Sequence, residues 1–175
     1  MYPVTYSRIR ATVLIMLVGA VRFAFAINPA EPGNLQVHVA VSPSPDYVKK
    51  WTATPPSSPV TIQRLRELEV GRVAYVAFIV TGYTLTKKAE TDLEVDCKIF
   101  NPDGSLLFEL PKYAKWHAPA STRAFVMANP ALDLKIDPGD QLGRYRIVAV
   151  VHDRVSGQEA SGEYSFEVKE RLTTG

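Results

Sequence analysis

Cysteine is almost missing from this 175-residue chain, in which Cys97 stands alone. No internal disulfide can form, so a folded domain here must rest on its hydrophobic core. Histidine is nearly as scarce, with three residues, and none falls at the three- or four-residue spacing of a zinc site. Neither a Gly-rich phosphate loop, a serine elbow nor a glycosidase-like acid pair can be singled out, which leaves enzyme chemistry unsupported. Long apolar runs are also lacking. The longest, Ala11 to Val21, falls short of the roughly 20 residues that span a bilayer as a helix, and Arg22 closes it. A stable membrane anchor is therefore not expected.

That short run has a definite setting. Arg8 and Arg10 precede it, no acidic residue occurs before it, and Ala24-Phe25-Ala26 follows. This is the layout of a secretory signal peptide, residues 1–26, with cleavage expected after Ala26 and delivery to the periplasm or the exterior. A lipid-modified signal would need a cysteine at the cleavage point. The chain carries 20 Lys and Arg against 18 Asp and Glu, and the segment 1–26 holds three of the arginines and none of the acids. The remainder is thus close to neutral. With no basic tract left, nucleic acid and anionic lipid are not expected partners.

Apolar residues alternate with polar ones along most of residues 27–175, the signature of strands with one face on a core. Expected strands are Leu35 to Val41, Val73 to Tyr83, Asp92 to Phe100, Leu106 to Leu110, Arg123 to Ala128, Leu132 to Ile136, Arg144 to His152 and Ala160 to Lys169. Thr61 to Leu68 reads equally as a short helix or an edge strand. Asn101-Pro102-Asp103-Gly104 and Val155-Ser156-Gly157 supply hairpin turns, and Asp137-Pro138-Gly139-Asp140 breaks the chain before Arg144. The expected fold is all-β, a single antiparallel β-sandwich of about seven to nine strands. An N-terminal strand and Pro-rich segment, 27–60, leads into the sandwich, 61–170, and a flexible tail, 171–175. Cys97 alternates with Leu93, Val95 and Ile99 and should be buried and inert.

Near the C-terminus, Asp140-Gln-Leu-Gly143-Arg-Tyr145-Arg-Ile147 resembles the tyrosine corner of immunoglobulin-like domains. The strand and hairpin that follow, through Asp153 and Gly157 to Phe166 and Val168, are similar to the closing strands of bacterial periplasmic immunoglobulin-like and fibronectin type III-like domains. The resemblance implies a sandwich with Tyr145 at a corner, its hydroxyl bonded to nearby backbone. It implies no specific function.

Candidate site residues lie outside the expected strands. The segment Lys112 to Pro119 reads as a loop, and its Tyr113, Lys115, Trp116 and His117 combine aromatic area with polar contacts suited to recognition. The segment Asp46 to Pro59, with Tyr47 and Trp51, is a second such stretch, although Trp51 fits a core cap better. His38 and His152 read as surface histidines. Asp153 neighbours His152 on the opposite strand face and so cannot orient its ring. Copper through His117 and Met127, or calcium at Asp133, Asp137, Asp140 and Asp153, is weaker than a packing or turn-forming role, and no cofactor is expected. The leading expectation is a non-catalytic binding or assembly module with a protein partner in the envelope. A carbohydrate-binding module, which needs Tyr113 and Trp116 coplanar and exposed, and an exported enzyme using His117 and converging acids are the alternatives.

Overall fold

The computed structural model describes residues 24–26, 33–55, 58, 61–119 and 124–171. Expectations for the rest of the signal segment and for the tail 172–175 fall outside the described residues. The elements run β1 (Ala24–Ala26), β2 (Gln36–Ser42), α1 (Asp46–Ala53), β3 (Thr61–Gln63), β4 (Glu67–Glu69) and β5 (Val73–Thr81). They continue with β6 (Glu90–Phe100), β7 (Leu106–Pro119), β8 (Phe125–Lys135), β9 (Gly143–Asp153) and β10 (Glu159–Lys169). The chain is mostly β, as expected.

Eight strands form one sheet in the order β2-β5-β8-β7-β6-β9-β10-β4, while β1 pairs with β3 alone. The sheet is mixed rather than purely antiparallel, because β4 runs parallel to β10. Physically, Thr61 to Leu68 is too short and too often interrupted to return as a hairpin, so its second half docks alongside the C-terminal strand. The junction in the middle of the sheet is thin: β7 meets β8 at the single partner pair Lys115 and Asn129. The sheet therefore curls there, and β2, β5 and β8 face β6, β9 and β10 across the main core.

Burial follows the alternation. In β6, Leu93, Val95, Cys97 and Ile99 are fully buried, and in β9 Tyr145, Ile147, Ala149 and Val151 are. Each buried aliphatic side chain contributes on the order of 1.5–3 kcal/mol. β5 departs from alternation because it is a near-continuous apolar run, Val-Ala-Tyr-Val-Ala-Phe-Ile-Val, and such a run is buried on both faces. Its second face, with Ala77 and Ile79, meets Ala40, Phe125 and Met127 and is covered by Tyr47 and Trp51 of α1 and Ile62 of β3. The two sides of the curled sheet approach so closely at β2 and β10 that a Cβ on Gly162 would lie 2.0 Å from the Val37 carbonyl oxygen.

Several expectations are corrected. Lys112 to Pro119 is not a loop but the second half of β7. A wide bulge opposite Val95–Cys97 interrupts the pairing just before it, and Lys112 takes a positive φ of 51° there. The two strands expected over Arg123 to Ala128 and Leu132 to Ile136 are, over Phe125–Lys135, one strand, β8, because an irregularity opposite Val76 to Phe78 of β5 lets the ladder resume beyond Pro130. Asp46 to Ala53 is helical, ending where Thr54 donates its backbone N–H to Lys50 O and prolines follow. His38 is half-buried rather than fully exposed. It lies on the β2 face shared with Ala40, and burial, aided by Arg64, lowers its pKa.

The turns behave as their composition dictates. Gly104 adopts φ 86° and donates its N–H to Asn101 O, closing the β6–β7 hairpin. Tyr145 is fully buried, stacks on Phe166 and donates its hydroxyl to Gln141 O at 2.8 Å.

Candidate interaction surface

The candidate residues Tyr113, Lys115, Trp116 and His117 all sit on β7, which divides them by strand geometry. Lys115 and His117 are exposed, whereas Tyr113 and Trp116 are half-buried against the main core. Tyr113 packs edge-on to Phe78 and donates its hydroxyl to Ala131 O at 3.1 Å. The Trp116 Nε1–H is buried and meets no acceptor among the described residues. Neither ring is fully exposed, as a stacking platform for sugar requires. Trp51 is likewise a packing residue, edge-on to Phe125 with ring centroids 5.1 Å apart.

Charged side chains cover the outer face of β6, β7, β9 and β10 and are mutually paired. Glu94 receives Arg154, Lys115 at 3.3 Å and Lys112 at 3.9 Å. Lys98 meets Glu109 at 2.8 Å, Arg146 meets Glu163 at 3.4 Å, and His117 lies 3.8 Å from Asp92. Such an interleaved face presents no concentrated basic field for nucleic acid.

Asp96 and His152 organise the centre of this face. Asp96 Oδ1 accepts the Lys112 backbone N–H at 2.7 Å, filling the gap that the bulge leaves in the ladder. Its Oδ2 lies 2.9 Å from His152 Nε2, and His152 Nδ1 lies 2.8 Å from Glu159 Oε1. The hydrogen bond to Asp96 raises the His152 pKa against a smaller desolvation effect, and Glu159 adds to the rise. Burial pushes the Asp96 carboxyl up, but the Lys112 N–H and His152 outweigh it, so the net shift is downward. His152 is thus a bridge across β6, β9 and β10 rather than an isolated surface residue. Adjacent polar positions in two strands could have suggested the pair, but their register could not be read from sequence.

Asp153 points into the fold, as the strand alternation requires. Its Oδ2 accepts the Thr84 N–H and the Ser156 hydroxyl, each at 2.8 Å, and its Oδ1 accepts the Val155 N–H at 2.9 Å. Asp140 Oδ2 accepts the Asp137 N–H at 2.8 Å, while Asp137 pairs with Lys135. These acids organise turns, and no group of three or more His, Cys, Asp or Glu side chains able to hold a metal occurs among the described residues. Met127 packs in the outer cluster, and His117 lies beside Asp92. Cys97 is fully buried, and burial raises its thiol pKa to about 11.

Sequence reasoning missed Leu106 and Phe108, which are 48% and 49% exposed at the start of β7. Among the described residues, the outer edge of β7 from Leu106 to Ala114 pairs with no strand. An apolar pair on an unpaired edge is unusual, since edges are normally blunted by charge, proline or a bulge. Here Pro111 and the Lys112 bulge blunt only the middle of the strand. Two large hydrophobics so close to a hairpin turn were the available signal.

No protein-family profile matches the sequence, and no curated protein matches it. Among solved structures, the chain is similar to part of the Pseudomonas fluorescens alkylpurine DNA glycosylase AlkC, at 17% identity and a TM-score of 0.42 over 80% of this chain and 31% of that one. It is similar to part of a family 123 glycoside hydrolase from Clostridium perfringens, at 12% identity and a TM-score of 0.44 over 78% of this chain and 28% of that one. The CARDB domain of a Pyrococcus furiosus protein aligns at 14% identity and a TM-score of 0.39 over 82% of this chain and 94% of that domain. The chain thus spans under a third of the two enzymes, and at these scores it is placed in none of the three families.

Proposed function

We propose that this protein is a non-catalytic exported binding module, an accessory subunit of a larger envelope system, built on an immunoglobulin-like sandwich. The observation that carries the reading is the exposed ridge of β7. Leu106 and Phe108 occupy its unpaired end, and Lys112, Lys115 and His117 continue it. An unpaired edge offers backbone donors and acceptors to an extended segment of a protein partner, and the two hydrophobics supply the side-chain anchors. The sandwich reading is supported by the buried Tyr145 corner and by a core held between two halves of a curled sheet. Export is supported by Arg8, Arg10, the apolar run and Ala24-Phe25-Ala26.

A photo-crosslinker placed at Phe108 in cells tests this. It should capture one defined envelope protein, and Leu106→Ser with Phe108→Ser should abolish the complex without lowering the melting temperature, because both side chains are half exposed. A complex unaffected by the double change would move the interface elsewhere.

A further inference from the structure

Opposite charges alternate from strand to strand on the outer face. The polar row of β6 is acidic at Asp92, Glu94 and Asp96, and the row of β7 beside it is basic at His117, Lys115 and Lys112. Asp92 stands across from His117 and Glu94 from Lys115, while Asp96 lies against the Lys112 backbone. Opposite charges placed this way stabilise a sheet, and like charges oppose it. The basic row is only partly neutralised. Glu94 Oε2 already accepts from both Nε and Nη2 of Arg154, which leaves Lys115 at 3.3 Å and Lys112 at 3.9 Å from that carboxylate, and both lysine side chains are 60% exposed. On its other side β7 pairs with no strand from Leu106 to Ala114 among the described residues. Backbone pairing there is confined to Leu106 to Leu110, because Pro111 has no N–H, the Lys112 N–H is turned inward to Asp96, and Tyr113 reaches across to β8 through its hydroxyl. The free stretch thus ends where the lysines begin.

We infer, resting on the docking role proposed for β7, that the strand taken up there is an acidic one: an extended protein segment of about five residues, apolar at alternate positions, with Asp or Glu at the end that lies by Lys112 and Lys115. Its apolar positions meet the exposed Leu106 and Phe108. Its carboxylates set a new acidic row beside the basic row of β7 and so continue the alternation that begins at β6. A basic segment would instead bring like charges against the two lysines. A second copy of this chain does not supply the carboxylate either. Antiparallel pairing centred on Phe108 would bring the Asp103 turn against Lys112, and Asp103 already accepts from Ser105 and Gln141.

Amide-shift NMR on the exported protein tests this with three synthetic peptides, Val-Thr-Val-Thr-Val flanked at both ends by Asp-Asp, by Ser-Ser or by Lys-Lys. Flanking both ends leaves the strand direction open. The Asp-flanked peptide should shift the amides of residues 106–110 and bind about tenfold more tightly than the Lys-flanked one, a preference that fades in about 0.5 M sodium chloride. Lys112→Gln combined with Lys115→Gln should remove the preference at unchanged melting temperature, since both side chains are exposed. Leu106→Ser with Phe108→Ser should abolish binding of all three peptides. Equal binding of the three at residues 106–110 would overturn the acidic partner and leave β7 as a docking edge, whereas no shift at 106–110 with any peptide would overturn both. A preference that survives the double lysine change would also overturn the inference. Shifts at 106–110 that appear on concentrating the protein without peptide would give the edge to a second copy and overturn it too.

Discussion

Tyr113 and Trp116 show how one residue can read two ways. In isolation they are loop aromatics flanked by lysines, whereas in the fold they wedge against the core, one tied to Ala131 O and the other edging in beside Leu93, its ladder partner. Their replacement by Ala together should therefore lower stability by about 3 kcal/mol or more, as large-to-small core changes do. A melting temperature that hardly moves in the double variant would return them to the surface. His152 makes a different prediction. Its pKa is raised in the folded state above the ordinary 6.5, so its stabilising contribution is complete below that value and is lost as the pH rises through the folded pKa. Asp96 has the opposite sign: its pKa lies below the ordinary 3.8, and its contribution is lost as the pH falls through the folded value. The melting-temperature gap between wild type and His152→Gln should thus shrink as the pH rises from about 6.5 through the raised folded-state pKa. A gap that stays constant across that range would show that the bridge carries no charge.

At the scale of elements, β2 and β10 have an unusually close crossing. Gly162 has no strained φ, and only the Val37 carbonyl explains the need for glycine there. Gly162→Ala should force the halves of the sheet apart and destabilise by about 1–3 kcal/mol, measured by denaturant titration. An unchanged midpoint would mean that β2 can shift without cost. The same scale separates what was legible from what was not. Strands β6, β9 and β10 were legible because alternation of period two is local. The helix α1 was not, since eight residues give barely two turns of periodicity, although Tyr47 and Trp51 at i and i+4 both turn toward the outer cluster. The second half of β7 was obscured by the bulge at Lys112, which breaks the alternation where the strand continues.

For the whole molecule, the sequence reading of export has a direct check. Intact-mass measurement of the exported product should give a chain beginning at Ile27, and a dominant species retaining Met1 to Ala26 would mean that the segment is kept as an anchor. Cleavage there would also remove the backbone pairing of residues 24–26 with β3, leaving Ile62 and α1 to cover the outer cluster.

The sequence by itself determined the β-rich class, the hairpin turns and the buried faces of the long strands, because each depends on residues a few positions apart. Only the tertiary structure decided that β4 joins in parallel, that the sheet curls about a single β7–β8 contact, and that Asp96 reaches both Lys112 and His152. It alone decided that Trp116 packs inward while Leu106 and Phe108 stay in water. Those outcomes depend on register between distant strands, and register is set by how all the faces pack at once rather than by any one stretch of chain.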